Sequence, residues 1–76
     1  MNPIITYEQE ETVKSSCTLC NFKLITYHQI IKGSTFCINF VVEHKITGEY
    51  FYFDFNKNEE ITVSSVEQKL KCMKKG

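Results

Sequence analysis

The chain has no arginine, no alanine and no tryptophan, and only one proline and three glycines among its 76 residues. Without arginine, recognition of phosphate, carboxylate or guanine falls to lysine, which offers a point charge rather than a planar fork. The formal charge is zero, so no excess of one sign draws the chain to nucleic acid or to a membrane, and neither is an expected partner. No apolar run approaches the roughly 20 residues that a membrane span needs. The opening MNPIITYEQEET lacks the basic start of an export leader, so a cytoplasmic location is expected, or a secreted one if a leader has been removed.

What is present is bulky. Six phenylalanines and four tyrosines supply large core side chains to a chain short enough that folding buries only about 60–65% of its surface. One domain, residues 1–76, is expected. The richness in Ile, Lys, Asn, Phe and Tyr is what AT-rich genomes encode, such as those of many phages, large DNA viruses or parasites. The charges are segregated: Glu8, Glu10 and Glu11 precede the centre, and Lys69, Lys71, Lys74 and Lys75 close the chain. Solvated termini account for such short runs.

From Asn21 onward apolar residues recur with period two. In FCINFVVEH, residues 36–44, Phe36, Ile38, Phe40 and Val42 share one face, the pattern of a half-buried strand. After a turn at Gly48, Phe51, Phe53 and Phe55 alternate with Tyr50, Tyr52 and Asp54, giving an antiparallel hairpin with a phenylalanine face inward. That burial, with Glu49 and Asp54 flanking, makes YFYF a core face beside a tyrosine-decorated surface rather than a stacking platform for single strands. NFKLITYHQII, residues 21–31, reads as an earlier strand, leaving through Lys32, Gly33 and Ser34. Asn56–Glu60 reads as a further turn, and Ile61–Ser64 as a short strand after it.

The spacing of Ser64 and Glu67 fits a capping box. Val66, Leu70 and Met73 form the stripe of a helix over about 65–74. Residues 3–16 read two ways. Asn2-Pro3 and the Glu10/Lys14 spacing suit a helix, whereas Ile4, Ile5, Thr6, Thr12 and Val13 are β-branched and suit a strand. The expected fold class is α+β: an antiparallel meander sheet of four to five strands packed with one or two short helices.

Catalytic chemistry has little to stand on. His28 and His44 lack a neighbouring nucleophile or orienting acid, so an enzyme is not expected. Cys17 and Cys20 form a lone CxxC, with Cys37 and Cys72 far off singly. A structural zinc site ordinarily shows two such pairs. A zinc-stabilised module would need Cys17, Cys20, His28, Cys37, His44 and Cys72 to converge through the fold. Free thiols are the default, and no metal or cofactor is expected.

With strands placed on both sides, Gln29-Ile30-Ile31-Lys32-Gly33 resembles the central hairpin of the cystatin and stefin family, which carries Gln-x-Val-x-Gly there. Gln29, Ile31 and Gly33 occupy the motif positions, and Phe36, Ile38 and Phe40 follow in the matching alternation. The similarity covers about residues 22–66. Lys32 stands where the family has a small residue, and the second turn lacks its Leu-Pro or Pro-Trp. The resemblance implies inhibition of papain-like cysteine proteases, with Gln29, Ile30, Ile31, Lys32 and Gly33 as one wedge and Asn56, Lys57 and Asn58 as a second. It also implies a helix before the first strand, so a strand at residues 3–16 would nearly exclude it. The alternative is a small interaction protein of virus or phage type that binds a host protein through its sheet edge or tyrosine face.

Overall fold

The computed structural model describes residues 4–75. Helix α1 (Tyr7–Leu19) leads into strands β1 (Phe22–Lys32), β2 (Thr35–His44) and β3 (Tyr50–Asn56). Helix α2 (Val63–Lys71) follows, and the two-residue strand β4 (Lys74–Lys75) pairs with β3 beside Phe51 and Tyr52. The sheet order is β1-β2-β3-β4, antiparallel throughout. The architecture is α+β: three full strands and two helices. The short strand expected at Ile61–Ser64 is absent, and the fourth position in the sheet holds only Lys74–Lys75.

The undecided N-terminal stretch is helical from Tyr7 onward, with Ile4, Ile5 and Thr6 ahead of the helix. Asn2 and Pro3 lie outside the described residues; the helix itself is capped by Thr6, whose hydroxyl accepts from the Gln9 N–H while the Gln9 side chain accepts from the Thr6 N–H. Two of its β-branched residues are threonines whose hydroxyls donate to carbonyls one turn back, Thr12 to Glu8 and Thr18 to Lys14. That bond satisfies the hydroxyl within the helix, so the polar β-branched residues do not force a strand. Val13 and Cys17 then fall on one buried stripe. The second helix starts earlier than the Ser64 cap expected from sequence. Thr62 is the N-cap, in reciprocal bonding with Ser65, so Val63 and Ser64 are helical rather than extended.

The core lies between the helices and one face of the sheet. Ile5, Val13 and Cys17 meet Phe40 and Val42 of β2, Phe53 and Phe55 of β3, and Val66 and Leu70 of α2. The Phe40 ring stacks on Phe53 at 5.2 Å and meets Phe55 edge-on at 6.0 Å, geometries that add to simple burial. The alternation read from the sequence holds in β2 and β3. In β1 it breaks: Leu24 pairs with Val42 and Thr26 with Val41, leaving Ile25 as a bulge. The extra residue turns Tyr27, rather than Thr26, toward the core. There its ring lies 5.6 Å from Phe40, and its hydroxyl donates to the Glu10 carboxylate of α1. The bulge thus creates the polar link between helix and sheet. Among the described residues, no helix is long and apolar enough to cross a membrane.

Candidate functional site

The register fixes where the hairpin turns. Lys32 pairs with Thr35, so the loop between β1 and β2 is only Gly33 and Ser34. Gly33 has φ +65°, the left-handed value that suits glycine in the first central position of a type II′ turn. The tip is therefore narrower than the expected five-residue wedge. Gln29, Ile30, Ile31 and Lys32 lie in the strand, paired with Ile38, Cys37, Phe36 and Thr35 in turn. Their side chains split between two faces.

Gln29 and Ile31 share the helix-covered face of the sheet, but they lie beyond the part that the helices cover. Ile31 is 69% exposed and Phe36, directly opposite, 48%. Lys32 points to the other face and is not a tip contact. Its ammonium bonds the Asp54 carboxylate at 2.8 Å, and Asn39 donates to the other Asp54 oxygen at 2.7 Å. Partial burial pushes the Asp54 carboxyl up, but the bonds from Lys32 and Asn39 outweigh it and hold the acid below its ordinary value. The same bond raises Lys32. This network ties β1, β2 and β3 together just below the turn.

The second expected element, Asn56 to Asn58, emerges at the same end of the sheet, since Asn56 pairs with Cys37. It connects β3 to α2, however, and is not a hairpin between two strands. Its shape is fixed locally. The Glu59 carboxylate accepts from the Asn56 N–H at 2.8 Å, the Glu59 N–H donates to the Asn56 carbonyl at 3.0 Å, and Lys69 pairs with the carboxylate at 3.2 Å. The Asn56 N–H, more than Lys69, holds Glu59 below its ordinary value. Two further bonds join this turn to the hairpin: the Lys57 N–H to the Phe36 carbonyl at 3.1 Å, and the Cys37 thiol to the Asn56 side-chain oxygen at 3.1 Å.

A groove of about 550 Å³ is walled by Gln29 and Phe36 of the hairpin strands, Asn56 and Lys57 of the second turn, and Ile4 and Gln9 around the start of α1. Three chain segments thus meet at one end of the molecule. Of the residues singled out from sequence, Gln29, Asn56 and Lys57 line this groove. Ile31, Gly33 and Asn58 are not among its lining residues, and Ile30 and Lys32 lie on the other face of the sheet. Ile4, Phe36 and Glu59 were not singled out as site residues. Phe36 shares its alternation with buried Phe40, so nothing local separates an exposed end of that stripe from its core.

The cysteines do not converge. Cys17 is fully buried in the core, Cys37 is buried on the opposite face of the sheet, Cys72 is exposed, and all four are free. Burial, reinforced by Cys20, pushes the Cys17 thiol up to about 11, so Cys17 lacks the stabilised thiolate that redox exchange uses. Among the described residues, no group of three or more His, Cys, Asp and Glu side chains is arranged to hold a metal ion. A larger cavity, of about 830 Å³, runs between β3 and α2. The ion pairs Lys32–Asp54 and Lys69–Glu59 lie along it, so these four charges are already partnered.

Compared with protein-family models, curated proteins and solved structures, the chain matches none.

Proposed function

We propose that this chain is a small non-enzymatic binding protein that inhibits papain-like cysteine proteases by placing the Gly33 end of its sheet in the active-site cleft. The observation that carries the reading is the convergence at one end of Ile4, the hairpin residues Gln29 and Phe36, and Asn56 and Lys57 of the second turn around one groove. A cleft binder needs several short segments presented together, and a two-residue turn narrow enough to enter. Rigidity favours it too. The hairpin is tied to the second turn through Phe36 and Cys37 and braced by Lys32–Asp54, so little conformational entropy is lost on binding. The exposed pair Ile31 and Phe36 supplies apolar surface that the folded chain leaves unused. Helix α1 stands ahead of the first long strand, where the resemblance to cystatins and stefins requires one.

In this reading Gln29, Ile31 and Gly33 make the first contact and Asn56, Lys57 and Asn58 the second, while Lys32 braces the strand from behind. Titration of papain-like proteases with the purified chain tests it. Submicromolar inhibition is expected, weakened by at least about tenfold in Gly33→Val, whose β-branched side chain is strained at positive φ, and in Gln29→Glu. Absence of inhibition across several such proteases rejects the reading.

The alternative of a host-protein binder acting through the sheet edge or the tyrosine face draws on a different observation. Tyr50 is 51% exposed, and β1 forms an outer edge of the sheet.

A further inference from the structure

Strand β1 runs 11 residues along the edge of the sheet, with β2 on its inner side. In an antiparallel ladder, residues alternate between those that bond the neighbouring strand and those whose N–H and C=O point away. The two-residue turn fixes which is which. Lys32 and Thr35 close the hairpin and exchange bonds, and so, counting back, do Ile30, His28 and Thr26 with their β2 partners. The backbone groups of Ile31, Gln29 and Tyr27 therefore face outward. Among the described residues, no bond from another segment reaches them. The bulge at Ile25 ends this regular run, leaving the stretch from Thr26 to Lys32 as a straight open edge.

We infer that this edge pairs with the same edge of a second copy of the chain, antiparallel about a twofold axis through Gln29, making one continuous sheet across the dimer. The outward groups select both partner and register. They are centred on Gln29, so a twofold there sets Tyr27 of one copy opposite Ile31 of the other and Gln29 opposite Gln29, and every outward N–H and C=O finds a complement. A shift of two residues in either direction loses one of these pairs, to the bulge on one side or the turn on the other.

The side chains agree with this register. On the helix-covered face, Ile31, 69% exposed in the single chain, packs beside Tyr27 of the second copy, an aromatic and β-branched pair of the kind that stabilises sheets. On the other face His28 meets Ile30, and Lys32 meets Thr26. No like charges oppose each other: Lys32 is already bonded to Asp54, and Lys23 lies beyond the paired stretch. Edges in single-copy proteins are guarded by bulges, charged side chains or proline; here the bulge at Ile25 and the charge of Lys32 stand at the two ends, and the run from Thr26 to Ile31 between them contains no charge and no proline. The inference is independent of protease inhibition, although self-pairing would cover Gln29 and Ile31 and so compete with cleft entry.

Sedimentation of the full chain from micromolar to millimolar concentration tests the proposal, with circular dichroism as the check on folding. A monomer–dimer equilibrium is expected. Gln29→Lys sets two ammonium groups opposite each other at the axis and weakens the dimer by about tenfold or more, leaving the spectrum unchanged. In a Cys72→Ser background, Gln29→Cys is expected to form a disulfide-linked dimer under mild oxidation, because directly opposed, hydrogen-bonded strand residues have Cα atoms about 5.5 Å apart. Shifting the cysteine to His28 abolishes this cross-link. A chain that stays monomeric at every concentration overturns the proposal, as does a dimer indifferent to Gln29→Lys whose Gln29→Cys form does not cross-link.

Discussion

Ile31 and Phe36 face each other across the last open pair of the β1–β2 hairpin, both on the side of the sheet that carries the core, and both largely in solvent. Four residues along each strand, the same two rows of side chains are occupied by Tyr27 and the fully buried Phe40. The sheet thus extends beyond its helical cover, and its apolar stripe continues past the core into water.

Replacing Ile31 or Phe36 by aspartate is therefore expected to change folding stability by less than about 1 kcal/mol, since surface substitutions away from packed features have small effects. Inhibition of a papain-like protease is expected to fall by at least about tenfold in the same variants. Thermal melts and inhibition constants measured in parallel check this. By contrast, Phe40→Ala, in the same stripe but buried, is expected to cost about 3–5 kcal/mol.

Ser16 presents a hydroxyl that is fully buried and has no hydrogen-bond partner among the described residues. Burying an unsatisfied polar group is costly, and alanine is the better helix former. Ser16→Ala is expected to stabilise the chain by about 0.5–1 kcal/mol, read as a higher urea midpoint at unchanged slope.

Stability is expected to fall below about pH 5 and above about pH 9. On the acid side, Glu10 is held below its ordinary value by the Tyr27 hydroxyl and then by Lys14, and Asp54 and Glu59 are also lowered. A lowered folded pKa contributes stability above the unfolded value, and that stability is lost as the pH falls through the folded one. On the alkaline side, Cys17 is raised from 9.0 to about 11 by burial, and Tyr27, Lys14 and Lys32 are raised as well. Their contribution is complete below the unfolded values and disappears as the pH climbs through the folded ones. Tyr27→Phe removes the main support of Glu10, so its acid transition is expected at higher pH. Urea midpoints measured across pH check each limb.

Thiol labelling is expected to resolve the four cysteines by burial. Cys72 is exposed and reacts first, Cys20 is half-buried and follows, and Cys17 and Cys37 react only once the chain unfolds. Mass spectrometry of iodoacetamide adducts in native buffer and in urea checks the order. Rapid native labelling of Cys17 would contradict its raised pKa and its place in the core.

Much of the fold was legible because its signals are local. Gly33 and Gly48 both adopt positive φ at the two turns read from the sequence, and Phe53 and Phe55 lie buried where the alternation placed them. The N-terminal helix was ambiguous because side-chain propensity alone does not include the bonds from Thr12 and Thr18 back to the helix carbonyls. The second helix begins ahead of the Ser64 cap read from the sequence, because Thr62 and Ser65 bond each other reciprocally. At the candidate site, Gln29, Gly33 and Asn56 were legible as motif and turn residues. Ile4 and the exposure of Phe36 depend on where the helices stop covering the sheet, which no short stretch of sequence encodes.

The bulge at Ile25 has a consequence for changes in chain length. It means that the two halves of β1 are read in opposite frames: Leu24 and Tyr27, an odd number of positions apart, share one face. Deleting Ile25 would join the halves in a single frame while every other residue kept its partner. Deleting any one residue between Thr26 and Lys32 would either carry side chains across the sheet or pull Gly33 out of its turn. The strand therefore carries one dispensable residue, followed by a segment that tolerates substitution far better than a change in length.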